Sequence, residues 1–374
     1  MRVLIVAETF LPARNGVTNS VLRVIEHLRR RGHDPLVVAP APGPSSVDDT
    51  PVERIPAIEV PFYRSLSVGM ATEARLEQII ERFRPDVVHL AAPLVLGARA
   101  ATVARRMGVP RVGVYQTDVA GFATHYHLGF LGRAAWTWLG RVHGSCDLTL
   151  APSTHAAWEL RRHGIDRVRI WGRGVDHRRF DPGFRDDEWR RRVLAGRDFL
   201  VGSVGRLAPE KRLHLLAPLL DLDGVRVVIA GDGPIRRQLR RQLPGAVFTG
   251  HLSGGDLSRA FASLDVFVHA GADETFCQSI QEALASGVPV VAPASGGPVD
   301  LVAHGRTGFL YPHDEPKMMA GAVETLLADT VERSAMARRA QASVAHRTWE
   351  VVGDQLIGHY ESVVGLTRSV RRAA

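Results

Sequence analysis

Val266-Phe267-Val268-His269-Ala270-Gly271-Ala272-Asp273-Glu274-Thr275-Phe276-Cys277-Gln278-Ser279-Ile280-Gln281-Glu282 runs on into Ala283-Leu284-Ala285-Ser286-Gly287-Val288-Pro289-Val290-Val291. An apolar run of strand length, Val266 to His269, ends in a Gly-Ala-Asp loop, a helix is expected to start near Gln278, and a second apolar run, Val290 to Ala292, follows. Strand, loop, helix and strand in that order make a βαβ unit of a parallel sheet. Seven residues separate Glu274 from Glu282. That spacing puts Glu274 in the loop at the strand's carboxyl edge and Glu282 one turn into the helix. Open parallel sheets bind ligands outside that edge, and a helix amino end placed there attracts anions. Two acids flanking such an end suit a ligand that carries both hydroxyls and phosphate.

Working outward, the same rhythm recurs on both sides. Apolar runs at Leu200 to Val204, Val225 to Ala230 and Val247 to Thr249 precede the opening stretch, each followed by a loop bearing Gly or Pro and then a helical pattern. In the amino half, strands are expected at Val3 to Val6, Leu36 to Ala39, Val87 to Leu90, Val112 to Tyr115, Leu148 to Ala151 and Val168 to Trp171. Helices are expected over Thr18 to Arg30, Glu73 to Phe83, Leu94 to Met107 and Thr154 to His163. Gly172 to Arg197 is rich in Gly, Asp and Arg without an apolar period and reads as a linker. The expected division is an α/β domain over residues 1–172, a linker at 173–197, a second α/β domain over 198–348, and a last helix over 349–374 that packs back on the first domain. A chain of 374 residues with 45% hydrophobic content can bury a core in each domain.

Charge and cysteine usage narrow the function. The net charge of +8 comes almost wholly from arginine, Lys211 and Lys317 being the only lysines. The bases are scattered over helical stretches such as Arg29 to Arg31 and Arg236 to Arg241 without interleaved aromatics, the pattern of solvated helix faces and not of a nucleic-acid surface. The apolar run Val3 to Ala7 is too short for a secretory or membrane-spanning segment, so a cytoplasmic protein is expected. Cys146 and Cys277 lie far apart in sequence, and no thiol pair or cysteine and histidine cluster offers a disulfide framework or a zinc site. His125, His127, His155 and His163 lack metal-ligand partners at a sensible spacing.

The turn after the first strand, Ala7 to Gly16, holds one glycine where a dinucleotide fold needs three, and no Gly-Lys-Ser/Thr run supplies a P-loop. Gly231-Asp232-Gly233-Pro234 does not substitute for the dinucleotide turn, because proline follows directly and no third glycine opens the helix; its plain reading is a tight strand-to-helix turn with Pro at the first helical position. Arg206 and Lys211 lie at the carboxyl edge of the second domain's first strand. They suit a diphosphate, or Lys211 pairs with its neighbour Glu210 on a plain surface. Asn15-Gly16-Val17-Thr18 either presents a helix amino end to phosphate or simply caps the helix. Gln116, Thr117 and Asp118 follow the strand that ends at Tyr115, where Asp118 serves as a polar catalytic contact or as a helix cap.

Taken together, these residues resemble the retaining GT-B glycosyltransferases of family 4, and within it the actinobacterial GDP-mannose-dependent α-mannosyltransferases. The likeness covers nearly the whole chain. It is carried by Ala7-Glu8-Thr9-Phe10-Leu11-Pro12 with Asn15-Gly16-Val17, by Val114-Tyr115-Gln116-Thr117-Asp118-Val119, by Arg173-Gly174-Val175-Asp176, by Val204-Gly205-Arg206 through Lys211, and by Glu274 to Pro289. The resemblance implies two facing Rossmann-like doubly wound domains with a cleft between them. It implies that Arg206 and Lys211 grip the donor diphosphate, Glu282 the nucleoside ribose and Glu274 a hydroxyl of the transferred sugar. Phe276, Cys277 and Gln278 would offer backbone N–H groups, Gly250, His251 and Leu252 would lie beside the base, and Gly16 would close over the phosphate.

Catalytic roles are thereby expected for Glu274, Arg206, Lys211 and Asp118, with no metal and no cofactor. The chain departs from the family pattern at Gln116, where many relatives carry histidine, and at Cys277, where many carry glycine. The implied reaction moves mannose from GDP-mannose to a lipid-linked or glycan acceptor, with peripheral contact at the inner face of the cell membrane and no nucleic acid. A UDP-sugar donor or a soluble acceptor is the alternative within the class. A GT-B sugar-nucleotide epimerase or a non-catalytic carbohydrate-binding partner subunit is the alternative outside it.

Overall fold

A computed structural model describes residues 1–13, 15–60, 63–116 and 132–373, and the chain divides into two compact units. The first unit is Met1–Arg173 together with Trp349–Ala374, and the second is Gly174–Thr348.

In the first unit, β1 (Arg2–Ala7), β2 (Asp34–Pro40), β3 (Ser46–Val47), β4 (Thr50–Ile55), β7 (Val87–Ala91), β8 (Arg111–Val114), β9 (Leu148–Ala151) and β10 (Val168–Ile170) form one sheet in the order β10-β9-β8-β7-β1-β2-β4-β3. All neighbours pair in parallel except β3 with β4. β5 (Ala57–Val60) and β6 (Tyr63–Gly69) make a separate antiparallel pair. Strand β1 shows why the sheet is covered on both sides. Val3, Ile5 and Ala7 enter one core with Val21 and Ile25 of the helix Gly16–Arg30, while Leu4 and Val6 enter another with Leu76 and Ala100 of the helices Glu73–Phe83 and Leu96–Arg106. Period-two alternation with both faces apolar is the pattern of a doubly covered parallel strand.

The carboxyl-terminal helix Trp349–Ala373 belongs to this first core through Val352, Leu356, Tyr360 and Val363. Its placement is fixed by polar contacts inside apolar surroundings, where an unmatched donor would be costly. Trp171 Nε1 donates to the Val352 carbonyl at 2.9 Å, and the Tyr360 hydroxyl meets His89 Nδ1 at 2.7 Å. Burial pushes the His89 imidazole down to about 3, so it stays neutral.

The second unit is wound on the same plan. β11 (Phe199–Val204), β12 (Val225–Ala230), β13 (Val247–Gly250), β14 (Val266–Val268), β15 (Val290–Pro293) and β16 (Gly308–Tyr311) form a wholly parallel sheet in the order β13-β12-β11-β14-β15-β16. Each sheet therefore reverses its direction of winding beside its first strand: between β1 and β7 in one unit, and between β11 and β14 in the other. The loops leaving those strand pairs at their carboxyl ends flank the position where such folds take ligands.

The structure corrects two expectations here. Residues 174–197 are not a linker but part of the second unit, with a helix at Asp187–Leu194. Phe180 is buried edge-on against Phe261 with ring centroids 5.5 Å apart, and Arg190 bonds Asp265 at 2.6 Å with both side chains nearly buried. Isolated anchors of this kind leave no apolar period to read. Residues 40–51, to which no strand was assigned from sequence, contain β3 and the start of β4, and β16 was likewise not anticipated.

Candidate functional site

The second unit's switch point carries the densest chemistry among the described residues. After β11 the chain passes through Gly205 and an exposed Arg206, then makes a 3-10 turn at Pro209–Lys211. This loop lies against the next one so closely that a methyl group on Gly231 would sit 1.8 Å from the Gly205 carbonyl oxygen, and the Leu207 N–H donates to the Asp232 carbonyl at 2.9 Å. Gly231 therefore has a packing reason to be glycine, and the helix beyond it starts at Arg236, not at Pro234.

After β14 the loop His269 to Cys277 folds back over the strand end. Its backbone is pinned at both sides: His269 N–H donates to Val291 and its carbonyl accepts from the Tyr311 hydroxyl, while the Glu274 carbonyl accepts from Gly297 N–H at 2.7 Å. The helix Gln278–Ala285 then begins, as the spacing predicts, and Gln278 Nε2 donates to the Gly174 carbonyl at 3.0 Å. Phe276 sends its ring into the core, and Cys277, buried beside it, has φ 78°, in the left-handed region. A residue with a Cβ loses about 1–2 kcal/mol there relative to glycine.

Lys211 and Glu274 join the two loops through an ion pair between Nζ and Oε1. Lys211 thus pairs with Glu274, and the surface reading in which it pairs with Glu210 is not what the contacts show. His269 Nε2 lies 3.2 Å from the same carboxylate oxygen without being aligned for a hydrogen bond. Burial alone would raise the Glu274 carboxyl, but Lys211 and His269 hold it well below the usual carboxylate range. Burial likewise opposes charge on His269, yet the Cys277 sulfur and the Glu274 carboxylate raise it to about 9. Lys211 is also raised, burial being outweighed by Glu274 and then Cys277. Glu274 is consequently a fixed anion that accepts hydrogen bonds and does not serve as a neutral-pH acid.

Glu282 is the opposite case. Burial pushes its carboxyl up to about 8, with Arg179 and then Gln278 opposing the shift. Its proton affinity is thus shifted in the direction opposite to that of Glu274. Gly250 stands at the end of β13 with φ 79°, its carbonyl accepting from Gly231 N–H at 2.8 Å; Leu252 is half-buried and His251 exposed.

Two further expected residues belong to the first unit. Asn15 caps the helix Gly16–Arg30, its side chain accepting from Thr18 N–H at 2.9 Å. A methyl group on Gly16 would meet nothing within 4 Å among the described residues, so internal packing does not explain its glycine. Gln116 is half-buried, and its Oε1 accepts from Arg173 Nη2, while Arg173 Nη1 donates to Ser20 Oγ. Burial lowers the Arg173 guanidinium to about 10, still charged at neutral pH. Thr117, Asp118, His125 and His127 lie outside the described residues.

His269 escaped the sequence reading, and so did its meeting with Cys277. The expectation that no cysteine and histidine cluster exists is therefore corrected: His269, Glu274 and Cys277 bring their ligand atoms within 4.8 Å of one another. The available signal was His-x4-Glu-x2-Cys beginning at a strand's carboxyl end. Glu8 also has a role that sequence did not assign. It is buried, and its Oε1 accepts from Leu94 N–H at 2.7 Å and Gly97 N–H at 2.8 Å, capping the helix Leu96–Arg106.

Residues 14–179 match a family model described as Glycosyltransferase Family 4, and residues 185–343 match one described as Glycosyl transferases group 1. The chain is 51% identical over 380 aligned residues to the GDP-mannose-dependent alpha-mannosyltransferase of Mycolicibacterium smegmatis, with 100% of each chain covered. It is 44% identical to the protein of the same description from Corynebacterium glutamicum, covering 99% of this chain and 91% of the other. Among solved structures, Anabaena HepE in complex with UDP superposes with a TM-score of 0.79 at 22% identity, covering 97% of this chain and 100% of that one. Sucrose-phosphate synthase of Thermosynechococcus elongatus gives 0.76 at 16% identity, with 100% of both covered. At those identities the two structures speak for the fold alone.

Proposed function

The chain belongs to glycosyltransferase family 4, with the two Rossmann-like units of the GT-B architecture, and on that premise we propose that it moves mannose from GDP-mannose to a hydroxyl of a glycolipid or related glycan, with retention at the anomeric carbon. The donor follows from the description shared by full-length relatives at 44% and 51% identity. The single observation that best supports a transfer site is the Lys211–Glu274 ion pair across the second unit's switch point. It places a cation for phosphate and an anion for sugar hydroxyls side by side, each already oriented by the other.

In this reading Arg206 and Lys211 hold the donor diphosphate and stabilise the charge that develops on it as the glycosidic bond breaks. They supply electrostatically what a divalent ion supplies in other transferases. Glu274 accepts from a hydroxyl of the mannose, the backbone N–H groups of Phe276, Cys277 and Gln278 meet sugar and phosphate, Glu282 holds the ribose, and Gly250 and Leu252 adjoin the base. Gly16 and Gln116 are proposed as further donor contacts and Asp118 as a catalytic one. The acceptor oxygen attacks the anomeric carbon on the face that the diphosphate leaves. The bonding pair of the broken C–O bond goes to the diphosphate oxygen, which takes the acceptor's proton, giving the mannosylated acceptor and GDP. Glu274 is not asked to be a nucleophile or an acid, in agreement with its low proton affinity.

An acceptor at a membrane is supported by the helix Gly132–Gly144, which exposes Trp138 between Arg133 and Arg141. None of the helices among the described residues is long and apolar enough to cross a membrane. Incubation with labelled GDP-mannose and a panel of UDP-sugars, with and without membrane extract, tests the whole reading. Label should leave GDP-mannose only when extract is present. Transfer from a UDP-sugar, or conversion of the sugar nucleotide with no acceptor, would overturn it. Flotation with anionic and neutral liposomes tests the membrane contact, and binding to neither argues for a soluble acceptor.

A further inference from the structure

We propose that His269, Glu274 and Cys277 form a binding site for one soft divalent cation of the zinc class. Three donor types converge there, an imidazole nitrogen, a carboxylate oxygen and a sulfur, all within 4.8 Å of one another. Borderline-soft ions favour that mixture, whereas magnesium and calcium take oxygen sets. With Zn–N and Zn–O bonds of about 2.0–2.2 Å, a tetrahedral ion holds its nitrogen and oxygen ligands roughly 3.4 Å apart. His269 Nε2 and Glu274 Oε1 are already 3.2 Å apart. Since the sulfur lies within 4.8 Å of both, it has to close by at most about one ångström to reach a Zn–S length near 2.3 Å.

Two observations show that the place is open to a ligand. His269 is 4% exposed, and its Nε2, 3.2 Å from Glu274 Oε1 but not aligned to hydrogen-bond it, is left without a hydrogen-bond partner. A methyl group on Gly271 would crowd that nitrogen at 3.0 Å and both Glu274 Oε1 and the Glu210 carbonyl oxygen at 3.2 Å, so glycine there keeps a side chain from blocking the two ligand atoms. The scaffold is rigid, because His269 and Glu274 are each tied by backbone hydrogen bonds to neighbouring segments. On coordination the Cys277 thiol and the His269 imidazolium each give up a proton to solvent, so binding strengthens as pH rises, and the ion takes the place of the Lys211 ammonium at Glu274. A water completes the fourth position.

The consequence is antagonism with the donor, and this part rests on the donor reading above. An ion at Glu274 removes the sugar-hydroxyl acceptor and disengages Lys211, so it inhibits transfer. By linkage, GDP-mannose weakens metal binding by the same factor that metal weakens GDP-mannose.

The test is titration of the full chain with Co2+, a spectroscopic stand-in for Zn2+. One equivalent should give the near-ultraviolet thiolate-to-cobalt charge-transfer band and the visible bands of a four-coordinate ion, both removed by Zn2+. Cys277→Gly, which suits the left-handed backbone, should abolish the charge-transfer band, and His269→Gln should weaken Co2+ binding by about tenfold or more. On the unaltered chain, Zn2+ should slow alkylation of Cys277 by iodoacetamide, followed by mass spectrometry of its peptide. Equal Co2+ spectra in the unaltered and Cys277→Gly chains, or an alkylation rate indifferent to Zn2+, would overturn the site. If the band forms as expected but GDP-mannose leaves its midpoint unmoved, the placement of Glu274 on the donor fails and the metal site stands.

Discussion

Each unit has a glutamate at its switch point, and the two are used in opposite ways. Glu8, just past β1, has its buried carboxylate on the backbone N–H groups of Leu94 and Gly97, where it holds the helix Leu96–Arg106 against the sheet. Glu274, past β14, bonds the side-chain ammonium of Lys211. Backbone donors at a helix start have nowhere else to go, so the first junction is a permanent part of the fold. A lysine on a flexible stem can exchange a carboxylate for a phosphate, so the second junction can open to a ligand. On the proposed function, one topology thus yields a structural corner and a binding corner, and the difference lies in whether the acid's partner is main chain or side chain.

The largest effect should come from removing the cations of the binding corner. Arg206→Ala combined with Lys211→Ala should cost transition-state stabilisation of about 3 kcal/mol for each residue, with the folded chain retained. Turnover of GDP-mannose near the unaltered rate would break the contrast. Glu8→Ala should do the reverse, lowering stability by about 1–2 kcal/mol in urea denaturation through loss of the cap while leaving the KM for GDP-mannose in place. A donor KM that rises with Glu8→Ala would show that both corners serve the ligand. Smaller again is Gly16→Ala. With nothing packed on that glycine, stability should change by less than about 0.5 kcal/mol, and the donor KM should rise roughly tenfold if the backbone there approaches phosphate.

A separate effect, read against pH, is expected at Glu282. Its folded-state carboxyl is raised to about 8 from an ordinary value of 4.5. The folded chain therefore holds that proton where the unfolded chain has lost it, and the associated stability is full below about 4.5 and is lost as pH rises toward 8. Glu282→Gln cannot ionise. Its Tm relative to the unaltered protein should climb by a few degrees between pH 5 and pH 9, as followed by thermal unfolding at each pH. A difference that stays constant across that range would place Glu282 in contact with water.

What was legible in the sequence follows the physics of each part. Strands covered on both faces announce themselves as apolar runs, so β9 and β12 have the expected bounds and most others differ at their ends by a residue or two. The helix start at Gln278 was legible because the spacing from the preceding loop left little room for anything else. β16 is only Gly308–Tyr311, too short to stand out. Residues 174–197 misled for a different reason: Phe180 and Arg190 are anchored one at a time, by a ring contact and an ion pair, and neither makes a periodic signal. At the site, the charged candidates were legible as residues at strand ends, whereas pairings were not. Nothing local distinguishes Glu210 from Glu274 as the partner of Lys211, since that choice is made by adjacency of β11 and β14 in the sheet. Glu8 was quoted as part of a motif, and only the bonds to Leu94 and Gly97 reveal its task.

The carboxyl-terminal helix has a genetic consequence. Because Trp349–Ala373 completes the first core, the second unit is an insertion: the coding order is first unit, second unit, first unit again. Gly174–Thr348 can be cut out as one continuous segment whose ends already meet, Val175 bridging to Thr348, but no continuous segment contains the first unit. A ribosome releasing this chain has finished the second unit while the first still lacks Tyr360 and its neighbours. A stop codon near position 349 would therefore damage the half of the protein that was made earliest.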